Sequence, residues 1–135
     1  MVKRRRGSRL NHVHRRHSGF DELVARALRG IPSPFREHLE RVAIVIEDEP
    51  TAEQLRENGL EPHDTLYGLY EGVPIAEWGA DWVSAPNKIS LFRLPLEEDF
   101  PDPDDLAEEV RVTVIHELAH HLGIDDDRLA ELGID

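Results

Sequence analysis

The segment DPDDLAEEVRVTVIHELAHHLG, residues 102–123, is the longest stretch of the chain with a helical pattern. Asp102 is in position to cap a helix, Pro103 suits the first helical position, and the two aspartates that follow favour the positive end of the helix dipole. About 20 residues with a rise of about 1.5 Å each give a helix roughly 30 Å long. The segment therefore predicts one long helix that forms the spine of the domain.

One face of this predicted helix is apolar. Leucine or valine recurs at every fourth position, and alanine lies beside this stripe at Ala107 and Ala119. The stripe consists of Leu106, Val110, Val114, Leu118 and Leu122. A stripe of this width predicts that the helix packs against the core along most of its length.

Two histidines and a glutamate on the same helix predict a metal site. His116 and His120 are four residues apart, so their rings lie on one face about one turn apart, where both can bind one ion. Glu117 lies about 100° around the helix from His116, where a carboxylate misses the ion but reaches a water bound to it. A metal ion acidifies such a water and a nearby carboxylate takes its proton, which is the chemistry of HExxH zinc peptidases.

The turn after the helix predicts the third ligand. Gly123 in a left-handed conformation permits a sharp turn, and Asp126 three residues later completes a His2Asp site with a fourth position open for water. Asp125 is the next candidate ligand, and Asp127 is predicted to cap the short helix at residues 127–133. This ligand set favours Zn²⁺, although manganese or iron can bind the same groups.

Other side chains near the predicted site have less defined roles. His121, about 140° around from His116, is predicted to face away from the metal. Tyr67 and Tyr70 have phenols that can stabilise an oxyanion, but core packing is predicted for both. For Glu117, the alternative to acid–base catalysis is a hydrogen bond to a metal-binding imidazole.

Three shorter helices are predicted before the long one. Residues 20–30 have apolar residues at helical spacing and stop at a glycine. Residues 33–42 predict a second helix with Ser33 as its N-cap and a proline in its first position. Residues 51–59 predict a third, which Thr51 begins with a capping box.

Three strands are predicted as well. The β-branched run at residues 42–48 predicts a buried strand. Residues 64–78 predict a strand followed by a Gly-Val-Pro turn, with an irregular loop around Trp78 and Trp82. Residues 87–95 predict a further strand, which Pro95 ends or marks as an edge.

Size and composition limit the class of protein. The 135 residues suffice for one domain with a modest core. The chain has no cysteine, so disulfides, thiolate nucleophiles and iron–sulfur ligation are excluded, and a transition metal must be bound by His, Asp or Glu. No apolar stretch is long enough for a signal peptide or a membrane span, so a soluble, cytoplasmic protein is predicted.

The charges divide the chain into two parts. Seven of the 16 Lys and Arg residues lie in residues 1–19, where no acidic residue occurs, and all 28 acidic residues lie in residues 20–135. A basic arm can bind nucleic acid by releasing counterions, but no aromatic residue lies between these charges. Residues 1–19 are therefore predicted to be a disordered arm, and residues 20–135 the functional domain.

The motif carries a resemblance to a known family. The residues that match the HExxHxxGxxD form of the zincin signature are His116, Glu117, His120, Gly123 and Asp126. Residues 20–135 resemble the small bacterial zincin-like metallopeptidases, also called minimal zincins. The resemblance implies an α+β, reduced zincin-like fold, in which a small mixed β-sheet packs on a long active-site helix that binds zinc. It also implies a zinc-dependent peptidase that acts on peptides or unfolded proteins, with Glu117 as the catalytic residue.

The same resemblance implies a place for the substrate. Zincin substrates lie extended against an edge strand, which would make residues 87–95 the partner of a bound peptide; an ordinary core strand is the alternative. Metzincins have a methionine turn after the third ligand, whereas the only methionine of this chain is Met1. The resemblance therefore predicts no side-chain preference at the cleavage site.

Two other functions remain as alternatives. The bacterial endoribonucleases of ribosomal RNA maturation have the motif HGxxHxxGxDH, in which Asp125 matches the aspartate but glycine replaces Glu117. Residue 117 therefore favours the peptidase; the basic arm favours RNA, and the acidic remainder of the chain opposes it. The third possibility is a zincin fold that binds a partner and hydrolyses little.

Overall fold

The computed structural model describes residues 2–5, 18–72 and 87–133, and side chains are described from residue 19 onward. The chain contains both helices and strands, with no regular alternation between them, which confirms the predicted α+β class. In chain order the elements are β1 (Val2–Arg5), α1 (Ser18–Arg29), α2 (Phe35–Leu39), β2 (Val42–Glu47), α3 (Ala52–Glu57), β3 (Asp64–Glu71), β4 (Asn87–Phe92), α4 (Arg93–Asp99), α5 (Pro103–His121) and α6 (Asp126–Leu132).

The strands form one mixed sheet in the order β1-β3-β4-β2. β3 is antiparallel to both β1 and β4, whereas β2 and β4 are parallel. Helix α5 contacts β3 and β4, and α1 and α2 pack on α5. A small mixed sheet against one long helix is the arrangement that the resemblance to zincin-like metallopeptidases implies.

Helix α5 begins and ends close to where its sequence predicts. The Asp102 side chain accepts hydrogen bonds from the backbone N–H groups of Asp104 and Asp105, and Pro103 is the first helical residue. The first four residues of the predicted apolar stripe are buried, but Leu122 is 37% exposed. Full burial of one leucine or valine contributes about 1.5–3 kcal/mol, so α5 is the main organiser of the core.

A close contact joins α5 to the sheet. Gly68 of β3 faces the helix so closely that a Cβ atom added there would lie 2.6 Å from the Cγ2 atom of Thr113. Only a residue without a side chain allows this separation. The helix residues beside Thr113, including Val114 and Ile115, are fully buried in the same core.

The structure differs from the predictions for β2 and for the end of β4. β2 was predicted to be buried, but it pairs only with β4 among the described strands, and its residues are half-buried or exposed. β4 ends at Phe92, and Pro95 lies in the first turn of α4, where a missing N–H costs no helical hydrogen bond. β4 pairs with β2 on one side and β3 on the other, so of the two alternatives left open for this segment the structure has the core strand and not the free edge for substrate.

One predicted helix cap is confirmed and one is wrong. Thr51 and Gln54 form the complete capping box at the start of α3. At α2, however, Pro34 occupies the N-cap position, and the Ser33 hydroxyl donates to the Glu37 carboxylate at 2.6 Å. The hydroxyl is therefore engaged by a side chain and does not cap the backbone.

The disordered arm stays a prediction for most of residues 1–19, but the two parts that the structure describes have regular structure. Residues 2–5 form β1, which pairs with residues 64–68 of β3, and α1 begins at Ser18, before the predicted boundary at residue 20. The outer edge of β3 presents backbone N–H and C=O groups that an extended segment satisfies. Residues 6–17 and the turn and loop predicted within 73–86 lie outside the described residues.

No helix in the described ranges is long and apolar enough to cross a membrane.

Candidate metal centre

The chain reverses sharply after α5. Leu122 is the C-cap, and Gly123 has a positive φ of 79°, as predicted. The N–H of Ile124 then donates to the carbonyl of Ala119 at 2.8 Å, which closes the helix end. α6 starts at Asp126, so the turn brings this aspartate back to the last turn of α5.

His120 and Asp126 are the closest pair of predicted ligands. The Nε2 atom of His120 and the Oδ1 atom of Asp126 are 3.4 Å apart. Two ligand atoms that are each about 2.0–2.1 Å from one tetrahedral zinc ion are themselves about 3.3–3.4 Å apart. The pair therefore has the spacing of two ligands of one ion. Both side chains are open to solvent, which gives an ion access to them.

His116 lies one turn earlier on the same face of α5. Its ring centroid is 6.2 Å from that of His120, and the two ring planes are inclined by 36°. The Nε2 atom of His116 is buried. Among the described residues, no three His, Asp or Glu side chains are grouped tightly enough to hold a metal ion as they stand. The structure thus brings two predicted ligands together and places the third beside them.

Glu117 connects the helix to the sheet. Only 4% of this residue is exposed, and its Oε1 atom accepts a hydrogen bond from the backbone N–H of Tyr70 at 2.8 Å. This N–H belongs to β3, and its acceptor is a side chain of α5. The backbone amide holds the carboxylate in a defined position between β3 and the histidines. The alternative considered from the sequence was a hydrogen bond between Glu117 and an imidazole, so the backbone partner on β3 was not predicted.

An open cavity lies beside these groups. Its volume is about 360 Å³, and its lining includes Glu117, His120 and the end of β3 at Leu69, Tyr70 and Gly72. This volume is within the range of about 300–1,000 Å³ that is usual for ligand sites. The cavity therefore provides room for part of a peptide next to the carboxylate and the exposed imidazole.

The two tyrosines have different environments. Tyr67 is buried, its hydroxyl donates to the Asp99 carboxylate, and its ring meets Phe100 edge to face at 5.6 Å. This is the predicted core packing. Tyr70 is only half-buried and stacks on His121 with ring centroids 4.1 Å apart. Burial raises the pKa of the Tyr70 phenol above its ordinary value.

The acidic run before α6 is divided between two tasks. Asp125 is the N-cap of α6, and its carboxylate accepts from the backbone N–H of Arg128 at 2.9 Å. The prediction that Asp127 is the cap is wrong, because the helix begins at Asp126 and the cap must precede its first residue. Since Asp125 is engaged in capping, Asp126 is the better candidate for a metal ligand.

Sequence reasoning missed the residues of a neighbouring cavity. His38 and Arg41, at the end of α2, lie on its wall together with Tyr70 and His121. No short motif links positions so far apart in the chain, so only the packing of α2 against α5 indicates that they belong together.

Comparisons with known proteins agree with the predicted fold. The family model of zincin-like metallopeptidases matches residues 39–134, which include α5 and α6. Among solved structures, a conserved hypothetical protein from Thermo thermophilus is similar with a TM-score of 0.52 and 26% sequence identity, over 89% of this chain and 100% of that chain. No curated protein matches the chain.

Proposed function

The chain belongs to the zincin-like metallopeptidase family, and on this basis we propose that it is a zinc-dependent peptidase in which Glu117 is the catalytic residue. One observation carries the proposal. The Glu117 carboxylate is buried and fixed by the Tyr70 amide, in a cavity that it shares with His120, whose imidazole is spaced like a co-ligand of Asp126. A fixed carboxylate beside a metal-binding pair is the arrangement that hydrolysis through an activated water requires.

The residues present suit a zinc ion. His120 and Asp126 have the spacing of two ligands, and His116, one turn earlier on the same face, would be the third. When bound there, zinc supplies the positive charge that acidifies a water and polarises a peptide carbonyl. His2Asp ligation favours zinc, although manganese or iron can bind the same groups.

Glu117 has the position of a general base and acid. The Tyr70 amide fixes Oε1, so the carboxylate has one preferred orientation from which Oε2 takes up a proton and later passes it to the leaving amine. The same hydrogen bond couples the catalytic carboxylate to β3. Any substrate held by this strand is then held in register with Glu117.

The proposed substrate is an extended peptide or an unfolded segment. Because β4 is paired on both sides, a peptide cannot add to it. β1 covers β3 up to Gly68, whereas the following residues Leu69, Tyr70 and Gly72 line the open cavity. We place the peptide along this last part of β3, where a β-strand partner lies closest to Glu117.

The endoribonuclease alternative has less support. It requires a motif with glycine at position 117, where this chain has a buried glutamate that is held in the site. The acidic balance of residues 20–135 also disfavours a phosphate-binding groove. A binding role without hydrolysis uses the same cavity, and the experiment below separates it from catalysis.

The test compares the zinc-loaded protein with Glu117→Gln on a diverse peptide library, with cleavage products identified by mass spectrometry. Glutamine keeps an acceptor for the Tyr70 N–H, so fold and zinc content should be retained while turnover falls at least about 100-fold. Zinc content and the thermal unfolding midpoint of both proteins provide the control. Equal cleavage by both proteins would remove Glu117 from the mechanism. Absence of cleavage by the fully loaded protein would reject the peptidase and leave RNA processing or binding.

A further inference from the structure

A second cavity adjoins the proposed active site. Its volume is about 250 Å³, and Tyr70 and His121, which stack on each other, line both cavities. Because liquid water occupies about 30 Å³ per molecule, the space corresponds to roughly eight waters, or to one amino-acid residue. A group bound there would be separated from Glu117 and His120 only by this stacked pair.

The polar lining of the cavity is basic. His38 contributes to it from α2, Arg41 from the turn that follows α2, and His121 from the last turn of α5, and the described residues of the lining include no Asp or Glu. The N–H of Arg41 donates to the carbonyl of His38 at 3.0 Å, which keeps the two residues in one turn. A basic lining is unusual for a chain with 28 acidic and 16 basic residues.

The guanidinium of Arg41 is not neutralised locally. Within the part of the chain that the structure describes, no carboxylate pairs with it, as is also the case for Arg29, Arg36 and Arg56, whereas Arg26, Arg93, Arg111 and Arg128 each pair with an acid. An arginine remains charged at every physiological pH. The cavity therefore has a permanent positive charge at its wall, and that charge favours an anion.

The rest of the lining adds neutral donors and an apolar wall. Asn87 and Tyr70 line the cavity, and both their side chains are neutral hydrogen-bond donors at neutral pH. Val42, Leu118 and Leu122 supply apolar surface, and Leu122 is one of two large apolar residues that are exposed among the residues with described side chains. A ligand that fits this cavity combines an anionic group with some apolar surface.

We propose that this cavity binds a carboxylate of the peptide substrate, with Arg41 as its charged partner. The inference rests on the proposed peptidase function and names a specificity-determining residue for it. A guanidinium matches the two oxygens of a carboxylate with paired hydrogen bonds, which phosphate-free peptides offer only at Asp, Glu or the C-terminus. The peptide thus has its carboxylate held on one side of the Tyr70–His121 pair and its scissile bond on the other.

Equilibrium binding tests the inference without turnover. Four labelled hexapeptides of one alanine- and leucine-rich sequence are titrated into zinc-loaded Glu117→Gln protein and followed by fluorescence polarisation. One pair differs only in a C-terminal carboxylate or carboxamide. The second pair is amidated and differs only in an internal Glu or Gln. Each titration is repeated with the Arg41→Ala substitution added to the Glu117→Gln protein. A matched control adds Arg56→Ala instead, at an exposed arginine of α3 that lies outside both cavities.

The carboxylate should strengthen binding about tenfold in the parent protein, since a hydrogen bond to a charged group contributes about that factor. Arg41→Ala should abolish the difference, and Arg56→Ala should leave it unchanged. A preference within the first pair identifies the C-terminus as the source, and one within the second pair identifies an acidic side chain.

Equal binding of both members of both pairs by the parent protein would overturn the proposal, and this comparison needs no folded Arg41 variant. Equal losses in the two arginine variants would also overturn it, because the effect would then reflect overall charge. If the Glu117→Gln protein prefers the carboxylate but the protein with Glu117 intact cleaves no peptide, the cavity assignment is retained and the peptidase is rejected. The two failures are therefore distinguishable.

Discussion

The middle of α5 and its last turn belong to one continuous helix but have opposite environments. Val110, Val114 and Ala119 are fully buried against the sheet and α1, whereas His120 and His121 are exposed. The buried turns position the helix, and the exposed turn presents its imidazoles to solvent. Glu117 lies just before this change, where it is buried but borders an open cavity. The contrast suggests that stability and chemistry are assigned to successive turns of the same helix.

The largest effect is expected from two leucines that are one turn apart. Leu118 is 1% exposed and Leu122 is 37% exposed, although both belong to the same apolar stripe. Leu118→Ala should lower the free energy of unfolding by about 2–5 kcal/mol, because it leaves a cavity in the core. Leu122→Ala should change it by less than about 0.5 kcal/mol, as expected at an exposed position. Urea denaturation of both variants measures the difference, and similar losses would contradict the contrast between the two turns.

The next largest effect is expected at Asp126, which we compare with the adjacent Asp125 because their proposed roles differ. Asp126→Ala should weaken zinc binding by more than about 100-fold, because even groups that only support a ligand cost 10–100-fold when they are removed. Asp125→Ala should retain zinc affinity and lower stability by about 1 kcal/mol, since it removes the cap of α6. Competition with a zinc-binding chelator gives the affinity, and thermal unfolding of the zinc-free proteins gives the stability. Full affinity in Asp126→Ala with a loss in Asp125→Ala would reverse the assignment.

The smallest effect is expected at two glycines. Gly68 faces the buried middle of α5, and Gly123 follows its exposed last turn. Gly68→Ala should cost about 1–3 kcal/mol by overpacking, because the new methyl group would meet Cγ2 of Thr113. Thr113→Ser removes that methyl group and keeps the hydroxyl that donates to Glu109, so it should recover part of the loss. Gly123→Ala meets no atom but has a positive φ, so it should cost about 1–2 kcal/mol that Thr113→Ser does not recover. Recovery of both variants, or of neither, would show that steric contact does not distinguish the two positions.

Most features that depend on neighbours in the sequence were predicted well, although the caps predicted at Ser33 and Asp127 were wrong. The start of α5 at Asp102 and Pro103, the capping box at Thr51, and the left-handed Gly123 all agree with the structure. Each of these features is a hydrogen bond or a backbone conformation within a few residues. Local sequence therefore contains the whole of its cause.

Features that depend on distant partners were predicted poorly. The β-branched run of β2 indicates a buried strand, yet β2 pairs on one side only among the described residues, and residues 87–92 form an interior strand. The basic segment at residues 2–5 has the composition of a disordered arm, but it pairs with β3. In each case the outcome depends on which strand lies alongside, and composition does not encode this.

The candidate site divides in the same way. The spacing of His116, Glu117 and His120 on one helix follows from the helical repeat, so the motif could be identified from the sequence alone. Three other features of the site could not be identified in this way, because each joins separate elements. They are the short distance between Asp126 and His120, the hydrogen bond from the Tyr70 amide to Glu117, and the position of Arg41 beside the site. Sequence determines contacts that one element makes with itself, whereas contacts between elements depend on how the helix, the turn and the sheet edge pack together.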